Sequence, residues 1–214
     1  KNPQMVHIAP NGIDSKLYVP NEKMRSEVRN SLGIKENEHL VMFSGSRHGP
    51  NNDALSEVRA FERKERDLLA RLGIYFLIVG SVGEKAEREG RMIVTGPVPE
   101  VLPYFSAADF AFNPVKTGSG SNVKIFEYIA ATLPVISTSF GTRGTTLKPS
   151  EDYYQYETNE ELAEILKKVS VLSKPDMWKF AERVWQTHKS EFDMTEIIRF
   201  EWEKGFFKRL LNKG

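Results

Sequence analysis

Lys124 and Glu127 are the pair in this sequence best placed to do chemistry. They stand three residues apart, so on a helix they share one face. The run before them, Gly118-Ser119-Gly120-Ser121-Asn122, is rich in glycine and serine. Such a loop offers closely spaced backbone N–H groups to an anion. A helix that follows it directs its positive dipole end to the same place. The sequence predicts that helix to begin at residues 119 to 124. A cation to face phosphate and a carboxylate to face sugar hydroxyls is the chemistry a nucleotide-sugar site needs.

These residues have to be held by strands and helices, and the sequence supplies them in alternation. Leu40–Phe43, Ile74–Val79, Met92–Thr95, Phe110–Phe112 and Pro134–Ser137 are short apolar runs, the first three closed by Ser or Gly. Met5–Ala9 and Tyr153–Tyr156 are two further candidates. Helices are predicted over Asn21–Leu32, stopped by Gly33, over Asp53–Leu72 and over Val101–Ala107. Asp14–Pro20 reads as a loop. Beyond Thr158 the pattern turns helical, over 159–172, 174–188 and 194–212. Strands apolar on both faces that alternate with helices indicate an α/β fold. The expected architecture is a doubly wound, mainly parallel, Rossmann-like sheet with a helical C-terminal extension. Ligands of such sheets sit at the carboxyl ends of the strands. There this chain carries Ser44-Gly45-Ser46-Arg47, Gly80-Ser81-Val82-Gly83, Gly96-Pro97-Val98, Asn113–Asn122 and Ser139–Thr145.

Bulk composition narrows the function. Thirty basic and 29 acidic side chains leave a net charge of +1, without the basic excess that a general nucleic-acid binder needs. The absence of cysteine removes disulfides and thiolate metal sites and makes a cytoplasmic location the plain expectation. His7, His39 and His188 lack partners at metal-ligand spacing, and no Asp-x-Asp motif occurs, so no metal or other cofactor is expected. No apolar run approaches the about 20 residues that span a bilayer. The start, Lys1-Asn2-Pro3-Gln4, lacks a Met and reads as a cut from a longer protein.

Several segments, in order, resemble the family 4 (group 1) glycosyltransferases. Asn11-Gly12-Ile13-Asp14 is similar to their "NGVD" junction. Phe43-Ser44-Gly45-Ser46 with Pro50-Asn51 is similar to their first strand and helix start. Thr95-Gly96-Pro97-Val98 followed by Tyr104–Asp109 resembles a third motif. Gly118-Ser119-Gly120 through Lys124-Ile125-Phe126-Glu127 and on to Pro134-Val135-Ile136-Ser137 resembles "GSG-x-x-x-K-x-x-E" with its following strand. The likeness covers about residues 5–147. It implies two Rossmann-like domains facing across a cleft, of which this chain is the C-terminal, donor-binding one. Residues 1–20 would then be an interdomain linker, 21–190 the nucleotide-sugar-binding domain, and 191–214 a helix crossing to an absent N-terminal acceptor domain.

The resemblance also assigns roles. Glu127 matches the second Glu of the family's E-x7-E motif and is expected to accept the donor's ribose hydroxyls. Its core-like neighbours Ile125, Phe126 and Ile129 favour that role over an ordinary solvated glutamate. Ser119 stands where the first Glu would be, a departure that leaves the sugar and the stereochemical outcome open. Gly45, Ser46, Ser119, Gly120, Ser121 and Asn122 are expected to contact the nucleotide sugar, and Val98 to set its backbone against the base. Arg47 and Lys124 are the expected catalytic cations, neutralising the departing diphosphate; for Arg47 a solvated loop charge is an equal alternative. Phe140–Gly144 is either a flap over the pocket or a turn. The expected activity is hexosyl transfer from a nucleotide-diphosphate sugar, with the isolated half inactive. A non-catalytic association module is the alternative, which the Ser119 departure favours. A dinucleotide oxidoreductase is disfavoured, because Ser44–Gly49 lacks the first glycine of G-x-G-x-x-G. The last helix carries more apolar surface (Ile197, Ile198, Phe200, Trp202, Phe206, Phe207, Leu210, Leu211) than one buried face uses. Part of it is expected to be exposed. Peripheral membrane association of the full-length protein is a further option, although Glu201, Glu203 and Lys204 interrupt the apolar face.

Overall fold

A computed structural model describes residues 11–119 and 122–203. Seven strands form one sheet: β1 His39–Ser44, β2 Ile74–Val79, β3 Glu87–Glu89, β4 Met92–Val94, β5 Phe110–Asn113, β6 Val135–Ser137 and β7 Tyr154–Gln155. Their spatial order is β3-β4-β2-β1-β5-β6-β7. Every pairing is parallel except β3 with β4. From β1 the chain moves outward through β2 to β4, then returns to place β5 on the other side of β1. The winding reverses between β1 and β5, and a crevice opens there at the carboxyl ends of the strands.

The strand residues alternate between two cores. Leu40, Met42, Leu77, Val79, Ala111 and Val135 face one cluster; Val41, Phe43, Phe76, Ile78, Phe110, Phe112 and Ile136 face the other. Helices α1 (Glu22–Leu32), α3 (Leu102–Ala107), α4 (Lys124–Ala130) and α6 (Lys174–Phe192) pack on the first side. Helices α2 (Gly49–Leu72) and α5 (Asn159–Val169) pack on the second. Burial on both sides explains why the strands read as unbroken apolar runs. The doubly wound, mainly parallel sheet expected from the sequence is the fold observed.

A buried ion cluster ties α1 to the sheet. Arg29, 1% exposed, donates to Asp109 Oδ2 at 3.0 Å and to the carbonyls of Lys35 and Glu38 at 2.6 Å each. Arg25 donates to Asp109 Oδ1 at 2.6 Å, and the Leu40 amide to Oδ2 at 2.8 Å. With its carboxylate so filled, Asp109 fixes the start of both central strands.

Some boundaries differ from the sequence expectation. Helix α2 starts at Gly49 rather than Asp53, because Pro50 lies in the first turn, where its fixed φ suits a helix and its missing N–H costs nothing. Strand β3 has no apolar residue to announce it. It forms by edge pairing with β4, and Glu87 and Glu89 meet Arg59 and Arg63 of α2. Within the segment read as a loop, Ser15–Tyr18 makes a 3₁₀ turn capped by Asp14. Helix α4 has seven residues and begins at Lys124, the late end of the start expected over residues 119 to 124. Helix α5 ends at Val169, short of Leu172, and α6 runs to Phe192, beyond His188. Helix α7 (Met194–Glu203) exposes Ile198, Phe200 and Trp202. The strand expected at residues 5–9 and the end of the last helix, Phe206 included, lie outside the described residues.

Candidate functional site

At the β1/β5 reversal lies a cleft of about 720 Å³. Its walls come from the loops after β1 (Ser44–Ser46) and β2 (Val79–Ser81), and from α3 and α4, with Lys124 and Glu127 both opening into it. The two β loops touch backbone to backbone. Gly45 N donates to Val79 O at 2.9 Å and Val82 N to Gly45 O at 3.0 Å. Gly80 has φ +102°, and a Cβ there would come within 2.6 Å of the Gly45 carbonyl oxygen. Only glycine permits this approach.

Lys124 is held from two sides. Its Nζ donates to Asn51 Oδ1 at 2.9 Å and lies 4.4 Å from the centroid of the Phe43 ring. Asn51 in turn donates from Nδ2 to the Ser46 carbonyl at 2.9 Å. The first turn of α2, the loop after β1 and the first turn of α4 therefore meet at one ammonium group. Burial lowers the Lys124 pKa to about 8, against the opposing pull of the Glu127 charge. Lys124 is thus a cation at neutral pH whose proton is loosely held.

Glu127, one turn along α4, accepts a hydrogen bond at Oε1 from the Tyr18 hydroxyl at 2.9 Å. Burial, followed by the charge of Glu127, raises the Tyr18 pKa to about 12, so the phenol stays protonated and remains a donor. Behind Glu127, the fully buried Tyr128 takes the Ser44 amide on its hydroxyl at 3.0 Å and fastens α4 to the end of β1.

The other expected residues divide. Gly45 and Ser46 line the cleft with Lys124 and Glu127. Arg47 is exposed at the rim on the same loop, paired with Glu84, while its backbone N–H donates to Ser81 Oγ at 3.2 Å. Val98 is half-buried and packs against the core cluster on the α3 side. Ser119 is exposed, and Gly120 and Ser121 lie outside the described residues. Asn122 donates from Nδ2 to the Gly141 carbonyl at 2.8 Å, beside the 3.0 Å bond from Asn113 to the same oxygen. Phe140–Thr142 is a 3₁₀ turn whose Gly141 carbonyl receives both amides. Asn51 and Tyr18 had no expected role. Asn51 belongs to the Pro50-Asn51 helix start, which implied no side-chain role, and Tyr18 lies 109 residues before the carboxylate it meets, with no spacing to betray it. Among the described residues no group of three His, Asp or Glu side chains could hold a metal, and no helix is long and apolar enough to cross a membrane.

With this geometry in view, residues 38–172 match the family model for glycosyl transferases group 1. No curated protein matches the chain. Among solved structures, a glycosyltransferase from Rickettsia africae superposes with a TM-score of 0.72 at 14% identity, over 100% of this chain and 59% of that one. Anabaena HepE, in complex with UDP and glucose, gives 0.71 at 17% identity, over 99% and 58%. The C-terminal domain of LpcC, a group 1 family protein of Francisella tularensis, gives 0.60 at 14% identity, over 86% of this chain and 100% of that one. The chain thus spans a little under three fifths of the first two proteins and matches the third along its whole length.

Proposed function

This chain belongs to the group 1 glycosyl transferases, and from that premise we propose that it is the donor-binding half of an enzyme that transfers a sugar from a nucleotide-diphosphate sugar to an acceptor. The observation that carries the reading is the convergence of Lys124 and Glu127 on one cleft at the reversal of the sheet. Ligands of doubly wound sheets bind at that place. The anchored ammonium group suits a diphosphate, and the carboxylate suits ribose hydroxyls. HepE, bound to UDP and glucose, shares the fold and supports a nucleotide-sugar ligand.

In glycosyl transfer the bond from the sugar to the diphosphate breaks, and negative charge grows on the departing phosphate. A cation fixed before the reaction stabilises that charge without having to be reorganised. Lys124 is that cation, fixed by Asn51 and Phe43. Arg47, on the loop after β1, is the second cation offered to the diphosphate, and leaves Glu84 to reach it. Gly45 and Ser46 face the ligand from below, and the 119–122 loop supplies backbone N–H groups. Val98 sets its backbone against the base. The acceptor and the rest of the catalytic cleft belong to a domain outside this chain, which α7 approaches with its exposed apolar side. Alone the chain binds donor and turns over poorly.

Calorimetric titration with uridine, guanosine and adenosine diphosphates tests this. Binding of at least one, weakened by Lys124→Ala and by Glu127→Ala, is the expected result. An intact fold that binds none of the three would overturn the reading.

A further inference from the structure

The segment before α1 reaches across the molecule to a single atom of the candidate site. Tyr18 OH lies 2.9 Å from Glu127 Oε1, and nothing between residues 18 and 127 in the sequence requires them to meet. The Tyr18 ring is wedged edge-on against Phe105 at 5.7 Å, and Phe105 packs edge-on against Tyr128 at the same distance. The 3₁₀ turn carrying Tyr18 is capped by the Asp14 side chain, which accepts from Lys16 N. Upstream, the same segment is fastened to the α6–α7 junction. Ile13 N donates to Phe192 O at 2.9 Å, Met194 N donates to Ile13 O at 2.8 Å, and Ser15 Oγ donates to Asp193. Tyr18 is therefore held by its own surroundings and does not rest on Glu127 for its place.

We propose that Tyr18 is a positioning residue: it holds the Glu127 carboxylate in the orientation that receives ribose hydroxyls. This rests on the reading of Glu127 as the ribose acceptor. A glutamate on the solvent edge of a seven-residue helix has three free side-chain torsions, and ordering them costs affinity. A fixed phenol that donates to Oε1 removes that freedom before the ligand arrives. It leaves Oε2, and the remaining lone pair of Oε1, for the ligand. A displaceable plug would need a mobile ring, and this one is locked between a capped turn and Phe105. Because the Tyr18 segment is pinned to the α6–α7 junction, the orientation of the carboxylate also depends on how that junction sits.

The test is a double-mutant cycle read by calorimetry, using uridine, guanosine and adenosine diphosphates and the 2′,3′-dideoxy counterpart of each. Tyr18→Phe keeps the ring and its packing and removes only the hydroxyl, and a thermal melt shows whether the fold is intact. For the diphosphate that binds tightest, Tyr18→Phe is expected to raise Kd roughly 3- to 10-fold. It should leave Kd for the dideoxy counterpart unchanged, and add nothing in a Glu127→Ala background. An unchanged or lowered Kd with wild-type binding intact would overturn the role of Tyr18 and leave the donor site standing. An equal loss for ribose and dideoxyribose ligands would also overturn it, as a general structural effect. Absence of wild-type binding to all the ribonucleotides would remove the donor site itself, and this inference with it.

Discussion

The ammonium group of Lys124 sits 4.4 Å from the centroid of Phe43, the last apolar side chain of β1, and burial there lowers its pKa to about 8. A folded protein that lowers a lysine pKa disfavours the charged form. Below the folded-state value the group is charged in both folded and unfolded chains, and its burial costs stability. As pH rises from about 8 toward the unfolded value the cost disappears.

Lys124→Met is therefore expected to stabilise the fold and weaken ligand binding together. The gain at neutral pH is on the order of 1–3 kcal/mol, reduced by the lost bond to Asn51. That corresponds to a rise of a few degrees in Tm. Differential scanning calorimetry beside a nucleoside diphosphate titration checks both. A variant that is less stable and binds as well as wild type would contradict the site.

The same residue sets a pH dependence for binding. A bound diphosphate favours the ammonium form, so its affinity is insensitive to Lys124 ionisation at neutral pH and falls as pH climbs through about 8. The loss cannot exceed about tenfold per pH unit from one proton. In Lys124→Arg the guanidinium stays charged, and the decline should vanish. Titrations over about pH 7 to 9.5 distinguish the two.

Gly80 tests the floor of the cleft. Gly80→Ala puts a Cβ within 2.6 Å of the Gly45 carbonyl and asks alanine for φ +102°. A cost of roughly 1–3 kcal/mol is expected, with a loss of ligand affinity as the Gly45–Ser46 loop shifts. Gly33→Ala is the control. Gly33 also has positive φ, at +65°, but its nearest neighbour to a new Cβ is the tip of Arg88 at 3.9 Å. It should cost roughly 1–2 kcal/mol and leave affinity unchanged.

Asp109 separates scaffold from site. Asp109→Ala takes from Arg29, 1% exposed, its buried carboxylate, leaving the exposed Glu36 at 3.9 Å, and strands the Leu40 amide. A loss of roughly 3–5 kcal/mol is expected in chemical denaturation. Whatever fraction remains folded should bind ligand with unchanged affinity, because Asp109 lies at the opposite ends of the strands from the cleft.

The sheet was legible because every central strand is buried on both sides, and β1 and β2 run into Ser44-Gly45 and Gly80. Ile74–Val79 was readable to the residue, since Gly73 and Gly80 bracket it. Gly33 likewise marked the end of α1 through its left-handed conformation. Strand β3 was not legible, because Glu-Arg-Glu has no apolar period and depends on the arginines of α2. The start of α4 was legible only to within residues 119 to 124, because a glycine-serine run marks a helix entrance without marking its first residue, and the helix itself runs from Lys124. Within the site, Lys124 and Glu127 could be paired from their spacing alone. Their partners could not, since Asn51 comes from α2 and Tyr18 from the segment ahead of α1, and only the folded topology joins them.

A crystal structure of this chain with a nucleoside diphosphate tests the donor cradle most directly. Uridine diphosphate is the first ligand to try, with guanosine and adenosine diphosphates beside it. The expected density places a phosphate oxygen about 3 Å from Lys124 Nζ and a ribose hydroxyl at a similar distance from the Glu127 carboxylate. A bound nucleotide with its phosphates remote from α4, or with its ribose turned away from Glu127, would contradict the account.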